Sequence, residues 1–512
     1  MIARILSSTV IGIDANPVEV EVDISKGLPS FFTVGLPEVA VRESKDRVKS
    51  AIKNSGYSFP ADRITVNLAP ADIKKEGTAF DLPIALGILA ATGVINNSAC
   101  NGLIFLGELA LDGMIRPVKG VLPVAITAYK DKMRGLVIPE ENLSEAAAVE
   151  GVPIFPVNSL AQTVQFLRGE IDSSAFNYEL SSFVAKTRCS TDSVDMREVK
   201  GQENAKRALE IASAGGHNIL MAGPPGSGKT MLARRLSSIL PDMNFQEALE
   251  SSKVYSIMGL LPKGSGLISE RPFRSPHHTI SDAGLIGGGH QPKPGEVSLA
   301  HNGVLFLDEF PEFKKNVLEV LRQPMEDGNV TISRASSSVT YPANFMLVAA
   351  MNPCPCGFFG STAKQCSCSP VQVQKYRHKI SGPLMDRIDM HLEVPAVSYN
   401  DLASMSAGET SETIRKRVVS AREIQNHRFK SISIYCNALM SNRHINAFCS
   451  IDSESKSLLE MAMNRLNLSA RAYARIIKIS RTIADLAGSS DINRTHMAEA
   501  IQYRSFDRKF LI

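Results

Sequence analysis

A chain of 512 residues is too long for one hydrophobic core, so two or three domains are expected. Its apolar fraction of 44% and charged fraction of 21% are those of an ordinary soluble protein, and no run of about 18 apolar residues is present to span a membrane. The net charge of +4 excludes little, but residues 396–512 hold 17 Lys/Arg against 11 Asp/Glu, which sets that segment at +6 and the rest at −2. A basic C-terminal segment suits a nucleic-acid partner, and equally a helical bundle with solvated basic faces.

The first stretch of the chain alternates like a strand and has no long apolar run before a cleavage site, so a cytoplasmic protein without a signal peptide is expected. Residues 1–170 read as mixed α/β. Strands are predicted at 18–24, 64–70, 135–142 and 152–158, an amphipathic helix at 41–56 and a largely buried helix at 80–94. Residues 171–195 are rich in Ser, Thr and Asp without a sustained period and read as a linker. In 196–395 an amphipathic helix (201–216) leads to the apolar strand 217–223, a Gly-rich loop and a helix, with further apolar strands at 303–310 and 345–352. Buried strands alternating with helices imply a parallel sheet covered on both faces, so the fold class is α/β. Residues 396–512 are mostly helical, and the helix 471–488 stops at Gly488.

The Gly-rich loop is Gly223-Pro224-Pro225-Gly226-Ser227-Gly228-Lys229-Thr230, with Met231 leading into the following helix. It matches the phosphate-binding pattern G-x-x-x-x-G-K-[ST] in the strand–loop–helix context that pattern needs. The glycines let backbone N–H groups approach a pyrophosphate, Lys229 reaches the outer phosphates, and the Thr230 hydroxyl ligates Mg²⁺. The strand 303–310 carries Asp308 and Glu309 at its carboxyl end, where ligands of parallel sheets bind. Asp308 is expected to hold Mg²⁺ through water and Glu309 to polarise the attacking water. Asn352, ending its strand, is within reach of the γ-phosphate or the water, or else serves a turn before Pro353.

Together, in this order, residues 223–230, 303–310, 349–357 and 381–395 resemble the magnesium-chelatase-like AAA+ ATPases of the YifB/ComM family. The stretches 35–57 and 469–486 are similar too, so the resemblance covers essentially the whole chain. It implies a Lon-protease-like N-terminal α+β domain (1–170), an AAA+ P-loop core (196–395) and a C-terminal helical lid (396–512). It implies a hexameric ring with ATP and Mg²⁺ at subunit interfaces. By position Asn352 is the first sensor, Arg387 the arginine finger acting on a neighbour's nucleotide, and Arg471 the second sensor, with Arg475 one turn later as a competitor. Competence-linked members of the family act on DNA as branch-migration motors, and other members are known as ATPases alone.

Lon-like proteases use a Ser–Lys dyad. Here the Ser position falls at Ala79 and the Lys position at Leu122, and neither side chain can attack a carbonyl or move a proton. Thr78 and Lys119 lie nearby but off register, so no peptidase activity is expected.

Cys354, Cys356, Cys366 and Cys368 form a C-x-C-x9-C-x-C cluster in the loop 354–368. Four thiolates suit a tetrahedral Zn²⁺, although the spacing departs from the usual knuckle; reduced surface thiols or redox pairs are the alternatives. Two insertions, 271–295 with Arg271, Arg274 and Lys293, and the hairpin 329–345 with Arg334, offer cations that would meet phosphates. His277 and His278 are expected only to hydrogen-bond. An ATP-driven DNA motor is therefore the leading expectation. A magnesium-chelatase subunit or a protein-remodelling ATPase are the rivals.

Overall fold

The computed structural model describes residues 2–75, 77–171, 194–289, 291–334, 337–360, 364–396, 408–432, 434–466 and 468–504. Most of the expected linker, 172–193, lies outside them. The chain forms two compact units: Met1–Arg188 with Phe245–Ser269, and Cys189–Asn244 with Glu270–Ile512.

The first unit is founded on an antiparallel hairpin. β1 (Ile2–Ile11) and β2 (Asp14–Ser25) pair from Ile2↔Asp23 to Ile11↔Asp14. In β2, Val18, Val20 and Val22 are buried while Glu19 and Glu21 take the other face, the period of two that an alternating sequence requires. Adding β3 (Ser30–Val34), β4 (Arg63–Ala69), β5 (Leu103–Phe105), β6 (Gly135–Pro139) and β7 (Ile154–Val157) gives a mixed sheet of order β3-β4-β2-β1-β5-β6-β7. α1 (Ser44–Asn54) packs on α2 (Asp81–Ala91), which is buried along its whole length against β1 and β2. α2 meets the sheet most closely at Gly87, where a Cβ would sit 2.5 Å from Val22 Cγ2.

The segment 245–269, which the sequence reading places within the 196–395 core, belongs to this first unit. Its helix Phe245–Met258 packs against α3 (Val121–Lys130). The reason lies in what that helix buries: Glu247, Ala248, Ser251, Ser252, Val254 and Ser256 are mostly small and polar. Such a face needs hydrogen-bond partners rather than an apolar sheet. Ser256 has them: its hydroxyl donates to buried Glu145, which also accepts from the Leu122 N–H at 3.0 Å, and its carbonyl accepts from the Gly120 N–H at 3.2 Å.

In the second unit α4 (Glu203–Gly215) precedes β8 (Ile219–Ala222), α5 (Lys229–Arg235), β9 (Phe273–Arg274), β10 (Val304–Leu307), β11 (Met346–Met351) and β12 (Met390–Glu393). The strands form one parallel sheet of order β9-β10-β11-β8-β12. Every residue of β8, β10 and β11 is buried, as continuous apolar runs in a sheet covered on both faces must be.

The C-terminal helices α6 (Ser411–Arg428), α7 (Ser453–Leu466), α8 (Ala470–Leu486) and α9 (Arg494–Gln502) share one hydrophobic core with the sheet, so that Ile219, Met221 and Met390 lie in the same cluster as Val418, Ile476 and Ile483. Buried ion pairs tie them further: Asp389 takes Arg475 of α8, and Asp485 takes Arg428 and Arg481. Just past α8, Gly488 adopts φ +67°, the left-handed conformation that ends a helix at little cost to glycine.

Candidate functional site

Because β8, β10 and β11 are adjacent and parallel, their carboxyl ends open at one edge of the sheet. The sequence sets a different polar group at each: the loop 223–228 after β8, Asp308 and Glu309 after β10, and Asn352 after β11. The loop is knitted to β11 by the Gly223 N–H, which donates to Met351 O at 3.2 Å. Gly226 and Gly228 adopt φ +77° and +85°, a turn that residues with a Cβ resist.

Lys229, first residue of α5, is 8% exposed. Its Nζ donates to Gly223 O at 2.7 Å, Pro224 O at 2.9 Å, Ser227 Oγ at 3.4 Å and Asn352 Oδ1 at 3.3 Å. None of these acceptors is a carboxylate, so the lysine is a buried cation whose charge is not neutralised by direct contact. Burial pushes its pKa below the ordinary lysine value, with Asp308 pulling weakly the other way. A buried cation left like this is costly unless an anion arrives, and the loop around it has the form that receives phosphates.

The Thr230 hydroxyl donates to Asp308 Oδ2 at 2.6 Å. Two hard oxygen donors held this close at the mouth of a phosphate loop fit Mg²⁺, which takes one or two protein oxygens and completes its shell with phosphate and water. Asp308 Oδ1 accepts the Glu309 N–H at 2.9 Å. Glu309 stands at φ +52°, unusual for a residue with a Cβ, and keeps its carboxylate about half exposed, where water reaches it. Its Oε2 lies 3.1 Å from His278 Nδ1.

Two of these contacts escaped the sequence reading. His278, expected only to hydrogen-bond, pairs with the candidate water-polarising carboxylate. Gln202, at φ +55° ahead of α4, donates through Nε2 to Ser227 O at 2.8 Å and steadies the phosphate loop from outside the motif. The Gly-Gln pair before an amphipathic helix was the only available signal.

The arginines fall elsewhere. Arg387 is 5% exposed, donates to Pro383 O at 2.6 Å and is ion-paired with Glu326. Arg471 lies close enough to the same carboxylate to pull its pKa down with Arg387. It lines a cavity of about 330 Å³ with Glu326, Asn442, Arg475 and Lys478. The structure thus gathers Arg387 and Arg471 around Glu326, and among the described residues neither bonds to Lys229, Thr230 or Asp308. Arg475, the competitor for the second-sensor role, is committed to Asp389. That carboxyl is buried, which alone would raise its pKa, yet Arg475, His217 and the Asn218 N–H hold it far below the usual carboxylate range.

The four cysteines converge. All four Sγ atoms lie within 4.8 Å of one another, with Cys354 fully buried and the others partly so. The Phe358 backbone leads in holding the Cys356 thiol down, to about 5. Cys366 is pushed up to about 12 in spite of a backbone hydrogen bond at Cys368, by desolvation first and then by its neighbouring sulfurs, which oppose a second negative charge.

Of the insertion cations, two are already used. Arg274 makes a two-point contact with Glu296 at 2.6 and 2.7 Å, and Arg271 donates to Pro241 O and Asn302 O, each at 2.7 Å. Lys293 and Arg334 remain exposed. The two insertions pack on each other: Tyr341 donates to Pro292 O at 2.7 Å, and Arg334 reaches over Gly288.

In the first unit Ala79 packs beside the cluster that holds Val121 and Ala125, and Leu122 is completely buried with Ala148 and Leu267. Thr78 donates to Glu108, and the Lys119 stem lies against Gly259.

Comparison with known proteins matches residues 195–402 to magnesium chelatase, subunit ChlI, residues 20–142 to subunit ChlI of Mg-chelatase, and residues 408–504 to the ChlI C-terminal family. The chain is 45% identical to competence protein ComM of Haemophilus influenzae over 99% of its own length and 98% of that protein's. It is 43% identical to YifB of Salmonella typhimurium over 99% and 98%. The 38 kDa magnesium-chelatase subunit of Rhodobacter capsulatus is 26% identical over 30% of this chain and 49% of that subunit. Near-complete coverage at such identity, on top of a parallel-sheet core with a phosphate loop, leaves one conclusion: the chain belongs to the ComM/YifB family of magnesium-chelatase-like AAA+ proteins.

Proposed function

We propose that this chain is an ATP-hydrolysing ring motor that acts on DNA, as a branch-migration helicase in recombination and natural transformation. The observation that carries the ATPase is Lys229: a buried cation in a glycine-rich loop, bonded to no carboxylate, beside the Thr230–Asp308 pair. Mg²⁺ held by Thr230 and Asp308 would offset the charge on the transferring phosphoryl oxygens. The protein's own part is to fix the outer phosphates with Lys229, to polarise the attacking water with Glu309, and to align it with Asn352.

Arg387 would be donated to the nucleotide of a neighbouring copy in a homohexameric ring, with Arg471 as second sensor. Such a donation requires Arg387 to leave Glu326 when the ring closes. The four clustered thiols would hold a structural Zn²⁺, and the protein would work in the cytoplasm. Among the described residues no helix is long and apolar enough to cross a membrane.

The DNA reading is supported by the exposed Lys293 and Arg334 on two insertions that pack together, and by the relative named a competence protein. Cations there would meet phosphates without reading bases. The test is ATP turnover with and without single-stranded and forked DNA, for the wild type and for a Lys293→Ala/Arg334→Ala variant. Stimulation several-fold above basal, weakened in the variant, is expected. Robust turnover indifferent to every DNA would overturn the DNA reading and favour a protein-remodelling or chelatase-like ATPase.

A further inference from the structure

The four-cysteine loop begins two residues after Asn352, whose side chain accepts from Lys229. Three of its sulfur pairs are 3.4 Å (Cys354–Cys356), 3.5 Å (Cys356–Cys366) and 3.7 Å (Cys354–Cys366) apart. A disulfide would need about 2.05 Å. A tetrahedron with Zn–S bonds of about 2.3 Å has edges of about 3.8 Å. Three of the four sulfurs therefore stand nearly where a zinc shell would put them, and Cys368 Sγ lies within 4.8 Å of each.

Backbone N–H groups complete the arrangement. Cys356 donates to Cys368 Sγ and Phe359 to Cys354 Sγ, each at 3.3 Å, and Cys368 to Cys366 Sγ at 3.4 Å. Hydrogen bonds of this kind orient ligand atoms from outside the metal's own shell.

The loop does not stand apart from the nucleotide site. Gly357, at φ +85°, rests against Pro225 of the phosphate loop so closely that a Cβ would lie 2.5 Å from Pro225 Cδ. On its other side Phe359 carries the Arg377 guanidinium at 4.9 Å from the ring centre, and Arg377 Nε donates to Pro353 O at 3.3 Å. None of the described residues of this segment belongs to the hydrophobic core cluster that the sheet shares with the C-terminal helices, so a metal is what would fix its shape.

We propose that a zinc ion on Cys354, Cys356, Cys366 and Cys368 braces the phosphate loop through the Gly357–Pro225 contact, so that metal occupancy sets the affinity for ATP. This rests on the zinc reading of the four thiols. With metal bound, the loop presses Pro225 into the conformation in which Gly223 and Pro224 carbonyls hold Lys229. Without it the contact loosens and the phosphate cradle is no longer preorganised. Asp308 and Glu309, which would hold Mg²⁺ and polarise the water, stand on a different strand, so of the groups that serve turnover the loop adjoins Asn352 alone. The effect therefore falls on ATP binding more than on the turnover step.

The experiment compares full-length wild type with Cys366→Ser/Cys368→Ser and with Gly357→Val. The last keeps every thiol but drives a side chain into Pro225. Each is measured for zinc content, for binding of a fluorescent ATP analogue, and for KM and kcat. The wild type is expected to carry one zinc per chain. The cysteine variant should lose it and bind the analogue roughly tenfold more weakly, with kcat changed less than KM. Gly357→Val should weaken binding while keeping its zinc, which guards against a cysteine variant that fails to fold. Zinc-free wild type with normal ATP binding would overturn both the zinc reading and the brace. Zinc lost from the cysteine variant, or retained in Gly357→Val, with ATP binding unchanged would overturn the brace and leave the zinc reading standing.

Discussion

Two regions of this molecule occupy positions where related folds do chemistry, and they have been furnished in opposite ways. In the first unit, Ala79 and Leu122 stand where the resemblance to Lon-like proteases leads one to expect a Ser–Lys dyad, and Leu122 is wholly buried among apolar neighbours. In the second unit the corresponding investment is polar. Lys229, Thr230, Asp308, Glu309 and Asn352 meet at the ends of three adjacent strands, each with a hydrogen-bond partner. The difference teaches that a fold supplies positions, while reactivity depends on whether polar groups are kept there and kept satisfied.

The largest effect expected to sharpen this contrast is at Arg387. If the phosphate site is completed by a neighbour, Arg387→Ala should cut ATP turnover about a thousandfold, the magnitude of an arginine finger. Mixing it with a Lys229→Ala chain should restore activity, because each supplies what the other lacks. Failure of the mixture to recover, with hexamers formed, would mean that Arg387 serves its own subunit through Glu326.

The first unit offers the converse attempt. Restoring the dyad as Ala79→Ser/Leu122→Lys should give no peptidase activity on casein. It should lower the melting temperature of that unit by roughly 10 °C, since an unpaired charge at a fully buried position costs on the order of 3–5 kcal/mol. Peptide cleavage by the variant would show that only two residues separate this unit from a protease.

A smaller effect separates the units by pH. Asp81 is buried in the first unit, and burial raises its pKa to about 6 against the pull of Arg47, which sits 2.7 Å away. Its folded value exceeds the unfolded one, so its contribution to stability is full below about pH 4 and is lost as pH rises through about 6. Asp389 in the second unit is shifted the other way, so its contribution is present above about pH 4 and is lost as pH falls toward its depressed folded value. Hydrogen exchange of the intact chain between pH 4 and 7 should therefore show the first unit gaining protection on acidification relative to an Asp81→Asn chain. Identical profiles for the two chains would contradict the shift.

How much of this was legible in the sequence follows from the range of each signal. Continuous apolar runs announced β8, β10 and β11, and the loop motif announced Lys229 and Thr230, because both patterns are complete within about ten residues. Partnerships across the chain left no such trace. The capture of 245–269 by the first unit depends on Glu145 and Gly120, more than a hundred residues earlier. The pairing of His278 with Glu309 depends on β9 and β10 lying side by side. Arg271 and Arg274 looked like free cations for DNA, yet one is spent on backbone carbonyls and the other on Glu296. The contact of Gly357 with Pro225 could be seen only in three dimensions.

The second unit's site is proposed to hydrolyse ATP. Its most direct test is steady-state ATP turnover with Mg²⁺ by the purified full-length chain beside Lys229→Ala and Glu309→Gln. The expected result is Mg²⁺-dependent turnover in the wild type, loss of both binding and turnover in Lys229→Ala, and retained ATP binding with turnover reduced at least about a hundredfold in Glu309→Gln. Turnover that survives in Lys229→Ala would contradict it, because the buried cation on which the site is built would then not be what holds the phosphates.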